Sequence, residues 1–143
     1  MLQDSSCVFC QIVADTTKCE LLAEDPAALA FMDIHPANPG HCLVIPKGHW
    51  PTILDIPSDQ FAAVARLVVR LAAAVQMAMR PPGLSLVQAN GGAANQTVSH
   101  LHVHVLPRGV GDGLLLNWPR TGIAEAGQIA EIARRIRNCL APD

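Results

Sequence analysis

The stretch of sequence that decides the fold is residues 100–106, His-Leu-His-Val-His-Val-Leu. Histidine alternates here with bulky apolar residues, and a repeat of two is the period of a β-strand, whose successive side chains point to opposite faces. We therefore predict a strand over residues 98–106, with its apolar side chains facing the core. Its opposite face would carry a row of imidazoles from His100, His102 and His104. Imidazole acts as a nucleophile, acid, base or metal ligand near neutral pH, so this face is the first candidate for chemistry.

The chain has 143 residues, a length that predicts a single domain over residues 1–143. A fold of about 150 residues buries roughly two-thirds of the surface of its unfolded chain, so a substantial core is possible. Ten Lys and Arg residues against twelve Asp and Glu residues give a formal net charge of −2. A groove for a nucleic-acid polymer needs a basic field, so no polymer partner is expected, whereas a single nucleotide is compatible with this charge.

The composition favours a cytoplasmic protein. The first ten residues contain no basic or apolar segment of the kind that forms a secretory signal. The most apolar stretch, residues 61–79, is interrupted by Arg66, Arg70 and Gln76, so no membrane span is expected. The chain has five cysteines, and an odd number without an export signal argues against a disulfide framework.

Turn-forming residues and helix ends divide the chain into short strands and two helices. Strands are predicted at residues 21–23, 28–34, 41–45 and 84–89. Ala-Asn-Pro-Gly at residues 37–40 predicts a hairpin turn. A long helix with Ser58 as its N-cap ends near Met79, before the Pro-Pro-Gly of residues 81–83, and apolar residues at helical spacing predict an amphipathic helix within residues 129–140. Hairpins with one long helix between them indicate an α+β domain with an antiparallel sheet.

The long helix is apolar over most of its circumference, because its polar stripe consists of Asp59, Arg66 and Arg70 on one line. A helix of this kind is buried on more than one side. In a domain this small, such burial predicts a subunit interface.

A loop of small residues, Asn-Gly-Gly-Ala-Ala-Asn at 90–95, precedes the histidines. Small residues let the backbone approach a ligand closely, and consecutive N–H groups in such a loop form a concavity that binds anions. The loop and the strand would together place phosphate-binding donors beside an imidazole nucleophile. A turn followed by a metal-binding strand is the alternative, because His-x-His on a strand is also a common metal pattern.

Cys7 and Cys10 have the spacing of thiolate ligands to zinc. One such pair supplies two ligands, which is too few for a structural site. A redox pair is the alternative, although such motifs follow a strand and none is predicted before Cys7. On these residues alone, both interpretations stay open.

Two separated motifs resemble those of the histidine-triad (HIT) family, in its branch of small Hint-like phosphoramidases. One is the run of three histidines preceded by Gln-Thr-Val at residues 96–98. The other combines Ala-Phe-Met-Asp-Ile at residues 30–34 with Pro-Gly-His-Cys-Leu-Val-Ile-Pro-Lys-Gly-His at residues 39–49. The similarity extends over about residues 7–108. It implies an α+β HIT-like fold, a homodimer, and action on nucleotides at the α-phosphorus.

The resemblance implies a role for each matching residue. His102, the middle histidine, would be the nucleophile, while His104 and His41 would hold the phosphate and assist proton transfer. Attack by a neutral imidazole on phosphorus gives a nucleotidyl-histidine that water then hydrolyses, which divides one difficult step into two easier ones. A purine nucleotide or nucleotide conjugate would be held by Asp33 at the ribose hydroxyls, by Asn90, Gln96 and Thr97 at phosphate or ribose, and by an apolar base cleft of Phe9, Ile12, Phe31 and Ile34.

The resemblance also supplies the ligands that the cysteine pair lacks. Members with this N-terminal pair bind zinc through the histidine after Pro-Lys and the first histidine of the triad, here His49 and His100. Two thiolates and two imidazoles close a tetrahedral site, so the resemblance implies a structural zinc ion held by Cys7, Cys10, His49 and His100.

Other positions are expected to be ordinary or depart from the family's pattern. We expect His35 to be solvated, and the cysteines outside the pair to pack as small hydrophobic residues. Ser99 stands where an aromatic residue usually precedes the triad. Asn95 replaces a glycine, but asparagine tolerates the left-handed conformation, so the loop is expected to keep its shape. The segment 114–120 matches weakly, in the region that tunes substrate choice in this family.

The leading hypothesis is a nucleotidyl hydrolase or transferase, most specifically a nucleoside phosphoramidase. A dinucleoside polyphosphate hydrolase and a non-catalytic nucleotide-binding or scaffold module are the alternatives, together with a metallohydrolase whose three histidines all bind metal. The intact triad disfavours a pure binding module, which needs no central nucleophile. The cysteine pair disfavours the metallohydrolase, because thiolates close a structural site and leave no open position.

Overall fold

A computed structural model describes residues 3–114 and 122–140, which form five strands, three α-helices and two 3₁₀ turns. The helices are α1 (Val8–Ala14), α2 (Ser58–Met79) and α3 (Ala126–Cys139). The strands are β1 (Leu21–Glu24), β2 (Ala28–Met32), β3 (Cys42–Pro46), β4 (Gly83–Val87) and β5 (Val103–Arg108). The 3₁₀ turns are Thr16–Lys18 and Gly92–Ala94. Apart from its first residue, the weakly matching segment 114–120 lies outside the described residues.

All five strands join one antiparallel sheet in the order β1-β2-β3-β5-β4. The first three strands follow one another in sequence and in space, whereas β5 inserts between β3 and β4. The predicted α+β class, with an antiparallel sheet, one long helix and a C-terminal helix, is confirmed. In this order β1 and β4 are the two edges of the sheet, and the strand that carries the last triad histidine is internal.

Both faces of β2 and β3 are covered, which explains why these two strands have no polar face. Every residue of β2 and β3 is buried. Alternate side chains of these strands pack under α2 and α3 on one face and against α1 on the other. The cluster on the α1 face consists of Cys7, Phe9, Cys10, Ile12, Leu29, Phe31, Leu43 and Ile45. The candidate catalytic histidines lie on this same α1 face.

The predicted histidine strand is shorter than expected, and the prediction of a strand from residue 98 is wrong. The strand β5 begins at Val103, because its pairing with β3 extends only to the Val44–Val103 pair. Beyond that point the proline that ends β3 has no N–H for the ladder, and Leu101 N–H instead donates to the carbonyl of Trp50 at 2.7 Å. The expected alternation survives where pairing exists, since Val103 packs under α2 while His104 pairs with Leu43.

The long helix α2 ends where predicted but begins differently. Ser58 is its first helical residue rather than its N-cap, and Pro57 occupies the cap position, with its carbonyl accepting from Phe61 N–H. At the other end Arg80 adopts the left-handed conformation (φ 48°, ψ 46°) before the two prolines. A proline disfavours helical conformation in the residue before it, so the helix cannot continue.

Helix α2 buries one side and leaves apolar side chains on the other. Its buried residues are Ala63, Val64, Leu67, Val68, Leu71, Ala74 and Val75. By length and composition alone the helix is apolar enough to cross a membrane, with a mean hydropathy of 1.6 over its best window. Its buried side packs against the sheet and α3. On the opposite side Val69 and Met77 are 69% and 62% exposed.

Candidate functional site

The three histidines of the triad divide between two neighbouring sites. The rings of His102 and His104 are 5.0 Å apart, and His104 is also 5.0 Å from the ring of His41, which arrives from the start of β3. His100 points elsewhere, towards the cysteines of α1. The structure therefore brings His41, His102 and His104 together as one cluster and assigns His100 to another.

The hydrogen bonds of His102 determine which of its ring nitrogens carries the proton. Its Nδ1 lies 2.7 Å from the backbone carbonyl of His100. A carbonyl can only accept, so the neutral ring must carry its proton on Nδ1. Nε2 of His102 then carries no proton, which is the state that a nucleophile requires.

Hydrogen bonds also determine which ring nitrogens of His41 and His104 carry a proton. Ala37 N–H donates to Nδ1 of His41 at 3.0 Å, so the neutral ring of His41 has its proton on Nε2. That nitrogen lies 2.8 Å from Nδ1 of His104 and donates to it, which leaves the proton of His104 on its own Nε2. His104 is thereby prepared to donate a hydrogen bond from Nε2.

Burial keeps His41 in the neutral form that this network needs. The ring is fully buried, and burial lowers its pKa from the ordinary value of 6.5. The carboxylate of Asp33, 3.6 Å from Nε2, opposes this shift, while charge on His102 adds to it. Because burial is the largest of these effects, His41 acts as a neutral hydrogen-bond donor to His104.

A cleft of about 340 Å³ opens beside this cluster, a size that suits a small organic ligand. The four residues expected to form the base cleft all line it, and so do the expected ribose and phosphate contacts at Asp33 and Thr97. Phe9 and Phe31 meet edge to face, with ring centroids 5.6 Å apart. The predicted site residues that line the cleft are Phe9, Ile12, Phe31, Asp33, Ile34, Thr97, His102 and His104.

Two residues predicted to contact the nucleotide, Asn90 and Gln96, form hydrogen bonds to the backbone of neighbouring loops. Asn90 accepts a hydrogen bond from Ile53 N–H at 2.7 Å. Gln96 donates to the carbonyl of Pro51 at 2.6 Å and accepts from Gly91 N–H at 2.7 Å. Among the residues that the structure describes, the lining of the cleft does not include these two side chains. Their expected contact with phosphate or ribose stays a prediction.

Sequence reasoning missed several residues of the cleft wall. His35 is half-buried there rather than solvated, which corrects the expectation for it. Lys18 and Cys19 also line the cleft, and burial raises the pKa of the Cys19 thiol to about 11. The signal that could have found them is the register of the β1–β2 hairpin, because Met32 N–H donates to the carbonyl of Glu20 and brings the two segments together.

The small-residue loop keeps the conformation expected of it. Asn95 adopts the left-handed conformation (φ 64°), as predicted for an asparagine that replaces glycine. Gly91 has a φ of 85° and a carbonyl that accepts from the N–H groups of both Ala94 and Gln96. Hydrogen bonds within its own backbone therefore hold the loop in this conformation.

The second site consists of the two cysteines of α1 and two histidines from distant segments. One ligand atom from each of Cys7, Cys10, His49 and His100 lies within 4.8 Å of all the others. Nδ1 of His100 is 3.5 Å from Sγ of Cys7 and 3.6 Å from Sγ of Cys10, and Nδ1 of His49 is 3.3 Å from Sγ of Cys10. Zinc bond lengths in a tetrahedron predict a sulfur–nitrogen separation of about 3.6 Å, so the spacing fits.

The chemistry of the donor set fits zinc as well as its spacing does. Nε2 of His100 donates to the carbonyl of Pro46 at 3.0 Å, which leaves Nδ1 as the ligating atom and fixes the ring, as is usual for metal-binding histidines. Burial lowers the pKa of His100 to about 4, so its ring is neutral at pH 7. Two sulfur and two nitrogen donors form a closed structural set.

Comparisons with known proteins agree with this geometry. A model of the HIT domain matches residues 15–110. The chain is similar to adenosine 5'-monophosphoramidase hnt1 of Schizosaccharomyces pombe, at 38% identity over 115 residues, which cover 80% of this chain and 84% of the relative. It is also similar to adenylylsulfatase HINT3 of Arabidopsis thaliana, at 33% identity over 139 residues, covering 92% of this chain and 69% of the relative.

A solved structure extends the similarity to three dimensions. The crystal structure of a Zn-bound histidine triad family protein from Mycobacterium smegmatis superposes with a TM-score of 0.79 and 35% sequence identity. The match covers 94% of this chain and 92% of the other. On its sequence, its sheet topology and its histidine cluster, the chain belongs to the HIT domain family.

Proposed function

We propose that the protein is a hydrolase that cleaves nucleotide conjugates at their α-phosphorus, with nucleoside phosphoramidates as the main substrate class. The observation that carries the proposal is the protonation order of the histidine cluster. The proton of the neutral His102 ring is on Nδ1, so its Nε2 is unprotonated, and the residue lines a cleft whose other walls suit a nucleotide. The relatives named adenosine 5'-monophosphoramidase and adenylylsulfatase support the reaction class, since both names denote cleavage of an adenosine phosphate conjugate.

The proposed chemistry proceeds in two displacements at phosphorus. Nε2 of His102 attacks, the bond from phosphorus to the leaving group breaks, and the leaving amine takes up a proton from solvent as it departs. Water then attacks the nucleotidyl-histidine, the bond from phosphorus to Nε2 breaks, and the proton lost by the water returns to solvent, which leaves the ring neutral and releases the nucleotide. Throughout, the Nε2–H of His104 donates to a phosphate oxygen, where it stabilises the charge that develops in each transition state.

Asp33 and the aromatic residues provide the proposed binding of the nucleoside. Oδ1 of Asp33 accepts from His35 N–H at 2.8 Å, which fixes the carboxylate at the cleft wall as an acceptor for ribose hydroxyls. Phe9 and Phe31 offer flat apolar surfaces to the base. These groups bind without reacting, so they affect affinity more than chemistry.

We infer that Cys7, Cys10, His49 and His100 hold a structural zinc ion. When bound, zinc supplies four short bonds that join the N-terminal helix to the segments after β3 and before β5. The donor spacing and the zinc-bound relative support this assignment. Elemental analysis of purified wild type should find about one zinc ion per chain and of Cys7→Ala much less. Equal zinc in the two proteins would reject the site.

We also infer a homodimer in a cytoplasmic setting. The exposed side of α2 carries the apolar residues Val69 and Met77 together with Arg66 and Gln76, and β4 leaves one edge of the sheet free within the described residues. The five cysteines are all unpaired, although Cys7 and Cys10 are close enough to share a ligand. Free thiols are usual in a reducing compartment, which supports the cytoplasm.

The experiment that tests the reaction is turnover of an adenosine phosphoramidate by wild type and by His102→Gly. Loss of the nucleophile should lower the rate by about 10⁴-fold or more, as for other covalent catalysts. AMP should still bind, because Phe9, Phe31 and Asp33 of the cleft are unchanged, and the zinc content should stay at the wild-type value, because His102 is not one of the four candidate zinc ligands. Unchanged turnover would contradict the proposal, and loss of zinc in this variant would favour a metal-centred hydrolase.

A further inference from the structure

One residue belongs to both sites. The ring of His100 faces the two cysteines, with its Nδ1 at 3.5 Å and 3.6 Å from their sulfur atoms. The backbone carbonyl of the same residue accepts the hydrogen bond from Nδ1 of His102 at 2.7 Å. The candidate metal group and the candidate nucleophile are therefore joined through a single peptide unit.

The surrounding backbone makes this peptide unit rigid only while its partners stay in position. His100 donates through Nε2 to the carbonyl of Pro46, and Leu101 N–H donates to the carbonyl of Trp50. Both acceptors flank His49, which is itself one of the four candidate ligands. The segment before β5 thus depends on the segment after β3, and the ligand set ties the two together.

A second contact links the cysteine pair with the nucleophile. Phe9 lies between Cys7 and Cys10 in the sequence, and its ring packs edge to face on His102 at a centroid distance of 5.3 Å. The same ring meets His100 at 5.8 Å. The helix turn that carries the two thiols therefore also packs against the ring of the nucleophile.

We propose that the Cys7, Cys10, His49 and His100 group positions the nucleophile, by holding the His100 carbonyl where it fixes His102 in the Nδ1–H form. If this carbonyl moves, the proton of His102 is free to occupy Nε2, and the lone pair in the cleft is lost. His49 and His100 are positioning residues under this proposal, because neither lines the cleft. The rate of nucleotidyl-enzyme formation tests this proposal only if the proposed function is correct, whereas the measurement of the His102 tautomer does not depend on that function.

The competing account is that the four residues only stabilise the fold. Under that account, loss of the metal lowers the melting temperature and leaves the remaining folded molecules fully active. Under the positioning proposal, the folded molecules are themselves impaired. Loss of an outer-shell partner typically costs 10-fold to 100-fold in activity, which is large enough to separate the two accounts.

His49→Ala is the most informative variant, because it removes a candidate ligand that does not itself line the cleft. We expect the metal to be lost and the rate of nucleotidyl-enzyme formation, measured by rapid quench, to fall by about 10-fold to 100-fold. The Kd for AMP should change by less than about threefold, because Phe9 and Phe31 remain packed in their apolar cluster. Cys139→Ala, a cysteine change on α3 away from both sites, should alter none of these quantities.

Nitrogen NMR of His102 at a single fixed pH gives a readout that a purely structural role would not change. Wild type should show one tautomer with the proton on Nδ1, and folded His49→Ala should show a mixture. His49→Cys, which keeps a metal-binding side chain, should restore the metal, the single tautomer and the rate. If His49→Ala does not fold, wild type treated with a chelator and a reducing agent replaces it, with circular dichroism to establish that the fold persists.

The outcomes separate this inference from the proposed function. A metal-free protein with the wild-type rate and an unchanged tautomer would overturn the positioning role. A wild type that forms no nucleotidyl-enzyme would contradict the proposed reaction instead, and the tautomer measurement would still decide the positioning role. A mixed tautomer in His49→Ala together with its restoration in His49→Cys would support it in either case.

Discussion

At the level of single residues, the proposed chemistry depends on which ring nitrogen of each clustered histidine carries a proton. His41 is the clearest case, because it is fully buried and yet donates to His104 from a nitrogen 3.6 Å from the Asp33 carboxylate. Burial of an ionisable group disfavours its charged form, and a nearby carboxylate favours it. Since burial dominates, the pKa of His41 is lowered, and His41 itself stays neutral in the folded state.

This lowered pKa predicts how stability depends on pH. In the unfolded chain His41 titrates near 6.5, while in the folded chain it does so at lower pH. Below 6.5 the unfolded state binds a proton that the folded state does not, so the free energy of unfolding should fall as the pH falls. The slope for one such group reaches about 1.4 kcal/mol per pH unit. Urea denaturation at a series of pH values should show a shallower decline for His41→Gln than for wild type, and equal slopes would contradict the assignment.

The chemistry-bearing residues can be predicted from the sequence because each has an unusual side chain at a fixed spacing. The histidine run, Asp33 and the cysteine pair are of this kind. Lys18, Cys19 and His35 are not, because their presence in the cleft depends on the register of a hairpin. The sequence also could not show that His100 leaves the strand, since this follows from where β3 ends.

Among the elements, the turn between β2 and β3 packs closely against the end of α2 and against β5. Gly40 has a φ of +89°, and a Cβ atom there would lie 2.9 Å from Cγ of Met79 and 3.1 Å from Cγ of Pro107. Both the backbone conformation and the close packing therefore require glycine. The next residue is His41, and β3 begins directly after it at Cys42, so this turn also positions the histidine cluster.

Gly40→Ala should accordingly cost more stability than a matched change elsewhere. Gly91→Ala is the control, because Gly91 has a similar φ of +85° but nothing within 4 Å of the added methyl group. The control should lose about 1–3 kcal/mol from backbone strain alone. Gly40→Ala should lose a further amount of about 1–3 kcal/mol from overpacking. Guanidinium denaturation of both variants measures the difference, and equal losses would show that the contacts of Gly40 yield without cost.

Element types are more predictable than element ends in this chain. The body of α2 follows from its apolar periodicity, and its last residue follows from the prolines after it. Its first residue does not, because Pro57 rather than a serine hydroxyl occupies the cap. The strand ends shift for a similar reason, since pairing partners rather than side-chain alternation determine where a ladder stops.

At the scale of the whole molecule, one face of α2 lacks a partner among the described residues. Its exposed apolar positions recur every three or four residues along one side, and they are Ala62, Ala65, Val69, Ala73 and Met77. Arg66 and Gln76 are exposed on the same side, so the face is mainly but not wholly apolar. Small side chains at this spacing allow two helices to approach closely. A second copy of the chain is the partner that the composition of the face and the free edge at β4 favour.

A charge in the middle of this face should separate the copies. Val69 is 69% exposed, so Val69→Glu places its carboxylate in solvent in the monomer but in the apolar interface of a dimer. Light scattering coupled to size-exclusion chromatography should give twice the chain mass of 15.2 kDa for wild type and the chain mass for Val69→Glu. Val69→Ala, which keeps the face apolar, should remain dimeric. A monomeric wild type would reject the interface.

The most direct test of the central claim is to detect the covalent intermediate. Wild type and His102→Gly would be exposed briefly to an adenosine phosphoramidate, quenched in alkali and measured by intact-protein mass spectrometry. The account predicts an added adenylyl group on wild type alone, which peptide mapping assigns to His102. Consumption of the substrate by wild type with no adduct, or an equal adduct on His102→Gly, would contradict it.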